Sequence, residues 1–548
     1  MKKKDYKIAY LSMEIAFDND IKTFSGGLGV LAGDTLRAAS EISLPLVGIT
    51  LFNKKGYFKQ IINDRGRQEE ASDKSDTSKL ELLSCKTHIK IGNDKVLVRV
   101  WKYKLQIENG IEIPIYLLDT DWPENKEKSR LLSGRLYGGD LKYRLKQEIV
   151  LGRAGIKILK SLGYKNIEKI HLNEGHGALA VVELYNSSKK KKDEEKINEV
   201  RKKIVFTTHT PVPEGHDVFY GEFLLKYQPD FPIHLKEVVI GDKINFTRLA
   251  MFFSSYINGV SKKHGQVSKK MFPKFNIGHI TNGVDSIFWT SSYMSKLFDK
   301  YISKWRENNE LLKKANKIPL EEINLAHNKA KKDLIRYINK KNKSNLKEDV
   351  FTIVFARRFT PYKRPSFLLA DIKKLVDIHN KVGKIQIIYA GKAHSRDIVG
   401  KTIIADINRI SKKLKNKVNI SFVANYNLKI AKLLVSGSDL WLNNPIPPNE
   451  ASATSGMKAA HNGVPQLSTY DGWWPEASHK TKTGWTIIED GDKNNLYDIL
   501  GKEIIPTFYK NQIEYLKIRR NTIYKNASKF NTQRMLKEYN KKAYKINK

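Results

Sequence analysis

The chain lacks cysteine, long apolar runs and acidic balance, and each deficit narrows what it can be. Cys85 is the single cysteine among 548 residues. A disulfide framework and a cysteine-ligated metal are therefore excluded. No apolar run reaches the roughly 18 residues that a membrane-spanning helix needs. The start Met1-Lys-Lys-Lys-Asp-Tyr is basic, but the apolar run after it is broken by Ser12 and Glu14, which does not read as a signal peptide. The expectation is a soluble, cytoplasmic protein with no membrane partner.

Acidic residues are outnumbered 58 to 98 by lysine and arginine, for a net charge of +40. Such an excess can mark a nucleic-acid or membrane ligand. Here the lysines are spread along the chain and gather in helical surface runs such as Lys340-Lys-Asn-Lys343. No basic stripe is interleaved with stacking aromatics, so the charge reads as a composition-wide lysine bias and no nucleic-acid partner is expected. With 40% hydrophobic and 10% aromatic residues the composition is globular, and the length allows two large domains with separate cores.

Short β-branched apolar runs alternate with helical stretches throughout, among them Lys7–Leu11, Pro45–Leu51, Ile113–Leu118, Lys169–Leu172 and Lys203–Thr208. A second series follows at Val350–Ala356, Ile385–Ala390, Val418–Val423, Leu440–Leu442 and Gln466–Thr469. Buried strands alternating with helices predict parallel sheets in an α/β architecture. The spacing predicts two α/β lobes, residues 1–285 and 286–548, with a helical tail from Lys510 that returns, in this reading, to the first lobe.

The most informative segment is Glu450-Ala-Ser-Ala-Thr-Ser-Gly-Met-Lys458. The prolines before it cannot be helical. Ser452, Thr454 or Ser455 each suits an N-cap, and Gly463 suits the stop, which predicts a helix of about two turns. Lys458 then sits on a small apolar helix beside Met457, Ala459 and Ala460. A lysine there is either a stem that packs while its head snorkels, or a desolvated amine suited to a Schiff base.

This segment resembles the pyridoxal-phosphate motif of the α-glucan phosphorylases, E-A-S-G-T-x-x-M-K, with Ala453 where the family has glycine. Asn462-Gly463-Val464 and Asp471-Gly472-Trp473-Trp474 resemble the shorter archaeal and bacterial branch. The resemblance implies two Rossmann-like lobes facing a central cleft, an architecture of the GT-B glycosyltransferase type. It also implies pyridoxal 5′-phosphate on Lys458, with Ala453 and Thr454 at the cofactor.

Three further clusters fit the same resemblance. Gly26-Gly27-Leu28-Gly29 opens an apolar-periodic helix, so its backbone amides suit a phosphate. By spacing alone it equally suits a tight strand–helix connection; by resemblance Gly27 lies at the substrate phosphate. Arg357-Arg358-Phe-Thr-Pro-Tyr362-Lys363-Arg364 follows a strand, where cations point into a ligand crevice or form a solvated loop. The family's K-R-x-x-x-Y-K-R implies Arg357 and Lys363 at the cofactor phosphate and Arg358 at the substrate phosphate. Asn173-Glu174-Gly-His176 and Thr208-His209 also follow strands. Their histidines lack metal-ligand spacing, so no metal is expected.

The resemblance implies His209 beside the glucose 6-hydroxyl, Glu174 and His176 in the same substrate region, and Asn282, Glu450 and Ser452 against the sugar. A glycosidase needs two carboxylic acids across the scissile bond, whereas Glu450 stands alone among phosphate-type cations. The implied reaction is reversible phosphorolysis of α-1,4-glucan to glucose 1-phosphate with retention. Catalysis is assigned to Lys458, Arg358, Lys363, His209 and Glu450. A retaining synthase using ADP- or UDP-glucose shares the glycine loop and the basic pair, yet needs no Lys458 motif. A non-catalytic glucan-binding protein needs no full charged set. Assembly into a homo-oligomer stays open.

Overall fold

Parallel strands need a crossover of a dozen residues or more, and this chain supplies most of them as helices. The computed structural model describes residues 2–479, 482–490 and 493–546. Its chain contacts separate two units. One comprises Met1–Phe58, Ser72–Thr281 and Met535–Lys548; the other comprises Lys59–Ala71 and Asn282–Arg534. The division therefore falls before Asn282 rather than after residue 285, and each unit borrows a segment from the other's stretch of sequence. Among the described residues no helix is long and apolar enough to cross a membrane.

The first unit is built on a nine-stranded sheet. From one edge, Gly278–His279, Tyr256–Gly259, Ile204–Thr207, Lys169–Asn173, Ile8–Ser12, Leu46–Leu51 and Ile113–Asp119 run parallel. Asp94–Leu105 and Glu81–Ile91 extend it as antiparallel strands. Every residue of Ile8–Ser12, Leu46–Leu51 and Ile113–Asp119 is buried, which is why they read as continuous apolar runs. Glu81–Ile91 alternates exposed and part-buried residues, and that pattern hid it. Chain order reverses on either side of Ile8–Ser12, so the strand ends at Ser12 and Asn173 flank a switch point.

The tail belongs to this unit from Met535 on. Met535, Leu536, Tyr539 and Tyr544 join a core with Ile8, Tyr10 and Leu36. The Tyr544 hydroxyl lies 2.7 Å from His171 Nδ1, and that of Tyr539 lies 3.0 Å from Thr207 Oγ1. Residues 547 and 548 of the expected tail lie outside the described residues. Earlier in the tail Tyr515, Leu516 and Ile518 are buried, whereas Ile513 is exposed.

The second unit holds six parallel strands. In chain order Phe351–Ala356, Ile385–Ala390, Asn419–Val423, Leu440–Asn443, Gln466–Thr469 and Gly484–Ile487 are numbered one to six, and across the sheet they run 3-2-1-4-5-6. That is the doubly wound order, with its switch point between the first and fourth strands. Beneath them Asp439 is fully buried and accepts from Lys331 Nζ at 2.6 Å, Arg519 Nη2 at 2.7 Å and Thr352 N at 2.9 Å. Burial would raise its pKa; Lys331, His327 and Arg519 overcome that and hold it well below the carboxylate range. The network ties two helices to the switch-point strands.

The borrowed hairpin Lys59–Ala71 braces the loop beyond the second strand. Gln60 Nε2 donates to Gly391 O at 2.9 Å, and Gln68 exchanges bonds of 3.0 Å with both backbone groups of Ala393. Gly391, at φ 140°, is required here, since a Cβ would lie 1.8 Å from Arg357 O.

Candidate active site

Both cations nearest the switch point of the second unit meet one carboxylate. Arg357 follows the first strand and Glu450 follows the fourth. Arg357 Nη2 donates to Glu450 Oε2 at 2.6 Å, and Lys363 Nζ donates to the same oxygen. All three side chains are buried. Burial raises the Glu450 pKa, but the Arg357 and Lys363 charges prevail and hold it down at about 2. Glu450 is thus ionised at neutral pH. Arg357 Nη1 is buried with no partner among the described residues, so half of the guanidinium remains for a ligand. Arg358, the neighbour across the strand's pleat, is exposed.

The loops that carry these groups are locked to each other. Arg364 Nε donates to Asn444 O at 2.8 Å and Asn444 Nδ2 returns a bond of 2.9 Å to Arg364 O. Arg364 also pairs with Glu489, so this fourth cation of the motif is structural. Glu450 N donates to Asp471 Oδ2 at 2.9 Å, and Trp473 N donates to Ser452 O at 3.0 Å. Gly472, at φ 58°, lets the two segments close, because a Cβ would lie 2.6 Å from Ser452 O.

The lysine helix runs Thr454–Ala460, and its entry corrects the expected cap. Ala453 is the N-cap residue, at φ 65° and ψ 53°, and no side chain caps the helix. Ser455 Oγ instead accepts from Trp441 Nε1 at 3.1 Å, Thr454 is the first helical residue, and Ser452 Oγ is buried without a partner among the described residues. The left-handed turn explains a glycine preference at position 453: a Cβ there costs roughly 1–2 kcal/mol. Gly463, at φ 67°, ends the turn after the helix as expected. Lys458 is buried, with Nζ 4.1 Å from the centre of the Trp289 ring. Trp289 gave no signal in the sequence, because only the fold brings its short helix Ser286–Trp289 to this lysine.

Asn282 stands at the start of the second unit. Its backbone oxygen accepts from Arg534 Nη2 at 3.0 Å, and its buried Oδ1 has no partner among the described residues.

In the first unit the glycine loop is already served by a carboxylate. Ser25 N and Gly26 N donate to Glu14 Oε2 at 2.7 and 3.1 Å, and the Tyr137 hydroxyl donates to Oε1 at 2.7 Å. The helix begins at Gly27 and runs to Glu41, so any further anion meets amides from Gly27 onward. Glu14 carried no expected role in the sequence reading; only its position across the loop reveals one.

His209 and Glu174 come together at the other side of that unit's switch point. Glu174, at φ 78°, accepts from His209 N at 2.7 Å and Thr210 Oγ1 at 2.9 Å. His209 Nε2 lies 2.6 Å from Asn173 Oδ1, while Asn173 Nδ2 donates to Ser12 Oγ. With Asn173 so oriented, Nε2 carries the proton and Nδ1 offers a lone pair. Burial, with lesser repulsion from His264, His171 and His176, lowers His209 to about 3.

His176 belongs to a different group. Its ring and the carboxylates of Glu148 and Asp217 bring ligand-type atoms within 4.8 Å of one another. Arg144 donates to both carboxylates at 2.9 Å, so a guanidinium already answers their charge. Burial lowers His176 to about 3, and burial beside Asp217 raises Glu148 well above its ordinary value.

Similarity to known proteins covers nearly the whole chain. A family profile described as "Carbohydrate phosphorylase" matches residues 232–481. A maltodextrin phosphorylase of Thermococcus litoralis is 36% identical over 98% of this chain and 70% of its own length. A glycogen phosphorylase of Aquifex aeolicus is 33% identical, over 98% and 86% respectively. A glycogen phosphorylase of Mycobacterium tuberculosis is 31% identical, over 97% and 70%.

Two outcomes follow from this geometry. Ala453→Gly relieves the left-handed alanine and should raise unfolding stability by about 1 kcal/mol, measured by urea denaturation; a loss would show that the methyl packs usefully. Separately, His171, His176 and His209 are each lowered to about 3, whereas an unfolded imidazole titrates near ~6.5. Below that pH the unfolded chain takes up protons that the folded chain refuses. Stability should therefore fall on acidification from about pH 6.5, by about 1.4 kcal/mol per pH unit for each histidine. Urea titrations between pH 7.5 and 5 read this directly, and a flat profile would contradict the buried neutral assignments.

Proposed function

This chain belongs to the carbohydrate phosphorylase family and acts as an α-glucan phosphorylase, a glycosyltransferase; on that premise we propose how its residues divide the reaction. Substrates are α-1,4-glucan and inorganic phosphate, and the product is α-glucose 1-phosphate, formed reversibly with retention. The observation that carries the assignment of roles is the buried Arg357–Glu450–Lys363 cluster at a switch point, on the same unit as a buried lysine facing an indole. Paired carboxylic acids suited to hydrolysis are not what this cluster offers. The relatives it matches are named phosphorylases, and nothing favours the nucleotide-sugar synthase or the non-catalytic reading.

The residues present fit pyridoxal 5′-phosphate. Lys458 offers a desolvated amine against a flat aromatic surface, and Arg357 Nη1 and Ser452 Oγ are buried polar atoms without protein partners among the described residues. Lys458 would hold the cofactor, with Arg357, Lys363 and the Ala453–Thr454 turn near its phosphate. When bound, it supplies a phosphate group that works beside the substrate phosphate.

Two phosphates in a dry site repel strongly, and the division of labour follows. Arg358, exposed at the strand end, grips the mobile substrate phosphate. Both cations fall on Glu450 Oε2, and Oε1 accepts from no described residue, so the ionised carboxylate can hold a sugar hydroxyl. Asn282 Oδ1 and Ser452 Oγ serve other hydroxyls. The neutral His209 accepts a hydrogen bond from the 6-hydroxyl at Nδ1, with Glu174 fixing its backbone and His176 lying in the same substrate region. Inorganic phosphate protonates the departing glycosidic oxygen and then attacks the oxocarbenium-like carbon from the same face.

Borohydride reduction after reconstitution, followed by peptide mapping, should place the pyridoxyl group on Lys458; a label on another lysine would remove the cofactor assignment. Arg358→Ala should keep bound cofactor while weakening phosphate binding and turnover together, by about 30- to 1000-fold, or roughly 2–4 kcal/mol in the transition state. Lys363→Ala should additionally loosen the cofactor. An Arg358→Ala protein with unchanged phosphate dependence would show that the guanidinium is only a solvated charge.

A further inference from the structure

The helix that carries Lys458 ends in two buried side chains that the reaction leaves unused. His461 and Asn462 are both buried and follow the last helical residue, Ala460. His461 Nδ1 lies 2.8 Å from Met457 O, and His461 Nε2 lies 2.8 Å from Ser286 Oγ. A carbonyl only accepts, so Nδ1 carries the proton, Nε2 is the acceptor and the Ser286 hydroxyl donates to it. Asn462 Nδ2 donates to Trp289 O at 2.9 Å and to Lys458 O at 3.1 Å. Asn462 Oδ1 accepts from Ser291 N at 2.7 Å.

These bonds join two particular elements. Ser286 and Trp289 are the first and last residues of one short helix, and Met457 and Lys458 lie in the middle of the other. The clasp therefore grips the tryptophan helix at both ends and anchors it to the backbone of the lysine itself. Between the two anchors the Trp289 ring covers Lys458 Nζ at 4.1 Å. A single apolar contact could not fix that geometry, since a four-carbon lysine stem has several rotamers of similar energy. Directional bonds from His461 and Asn462 instead fix the backbone of the tryptophan helix against that of the lysine helix.

We propose that His461 and Asn462 are positioning residues, which hold the Trp289 indole over the Lys458 amine and so set that amine's reactivity and access to water. The proposal deepens the reading of Lys458 as the cofactor lysine and rests on it for its purpose, though the geometry can be tested apart from the cofactor. An indole held over an amine excludes water and attracts its charged form. Losing the clasp should release the ring and admit solvent to Nζ.

The test uses the full chain with Ser286→Ala, which removes one hydroxyl at little cost in packing, and His461→Leu, which removes both bonds of the imidazole. Each protein is first stripped of any carbonyl adduct with hydroxylamine. Lys458 is then labelled with trace acetic anhydride and compared with the other lysines by peptide mapping. Both variants should raise relative labelling of Lys458 at least ~5-fold, and His461→Leu more than Ser286→Ala. The same proteins, reconstituted with pyridoxal 5′-phosphate, should lose the bound chromophore at least ~10-fold faster than wild type. Thermal midpoints are recorded alongside, because a merely structural role lowers the midpoint without changing relative labelling. Unchanged labelling in both variants overturns the proposal. Wild-type protein that binds no chromophore, with labelling still raised in the variants, overturns the cofactor reading and leaves the clasp standing.

Discussion

One buried carboxylate shared by two cations is the constraint around which the second unit's site is arranged. Glu450 comes from the segment after the fourth strand, Arg357 from the end of the first, and Lys363 from the loop beyond it. A carboxylate removed from water must be met by opposite charge or take up a proton. The strands, the Arg364–Asn444 lock and the left-handed Gly472 exist in the arrangement that lets those three groups meet. The net result is a buried, cation-rich cluster in which a carboxylate stays ionised. Such a cluster stabilises added negative charge without having to reorganise when it arrives.

The first unit solves a related problem with backbone groups. Its glycine turn presents amides to the Glu14 carboxylate, and its strand ends present neutral, hydrogen-bonded imidazoles. A neutral imidazole held in this way offers a donor and an acceptor of fixed direction rather than a charge. The Arg144–Glu148–Asp217 group shows the same economy: its guanidinium satisfies two acids, and His176 remains uncharged beside them. The first unit thus gathers neutral polar groups at its strand ends, and the second gathers cations about one carboxylate.

Much of this was legible in the sequence, for identifiable reasons. Ten of the parallel strands were found because burial on both faces makes them continuous apolar runs; Tyr256–Gly259, Gly278–His279 and Gly484–Ile487 were missed, as were the antiparallel Asp94–Leu105 and Glu81–Ile91, the last of which alternates exposed and part-buried residues. Lys458 stood out since its helical neighbours are small and apolar. Trp289, Glu14 and the His461 contact were invisible, because each depends on residues far apart in sequence. Ala453 was visible as a departure from a motif, yet only its φ of 65° explains why glycine is favoured there. The expected hydroxyl cap failed for the same reason: a left-handed entry leaves Ser452 outside the helix.

The central claim is that this protein transfers glucosyl groups between glucan and phosphate. Phosphorus NMR of purified, cofactor-supplied protein mixed with maltodextrin and inorganic phosphate observes that transfer directly. The account predicts growth of an α-glucose 1-phosphate resonance, and reversal to free phosphate with primer extension when glucose 1-phosphate is supplied instead. Failure in both directions, with glucan extended only from ADP- or UDP-glucose, would contradict it.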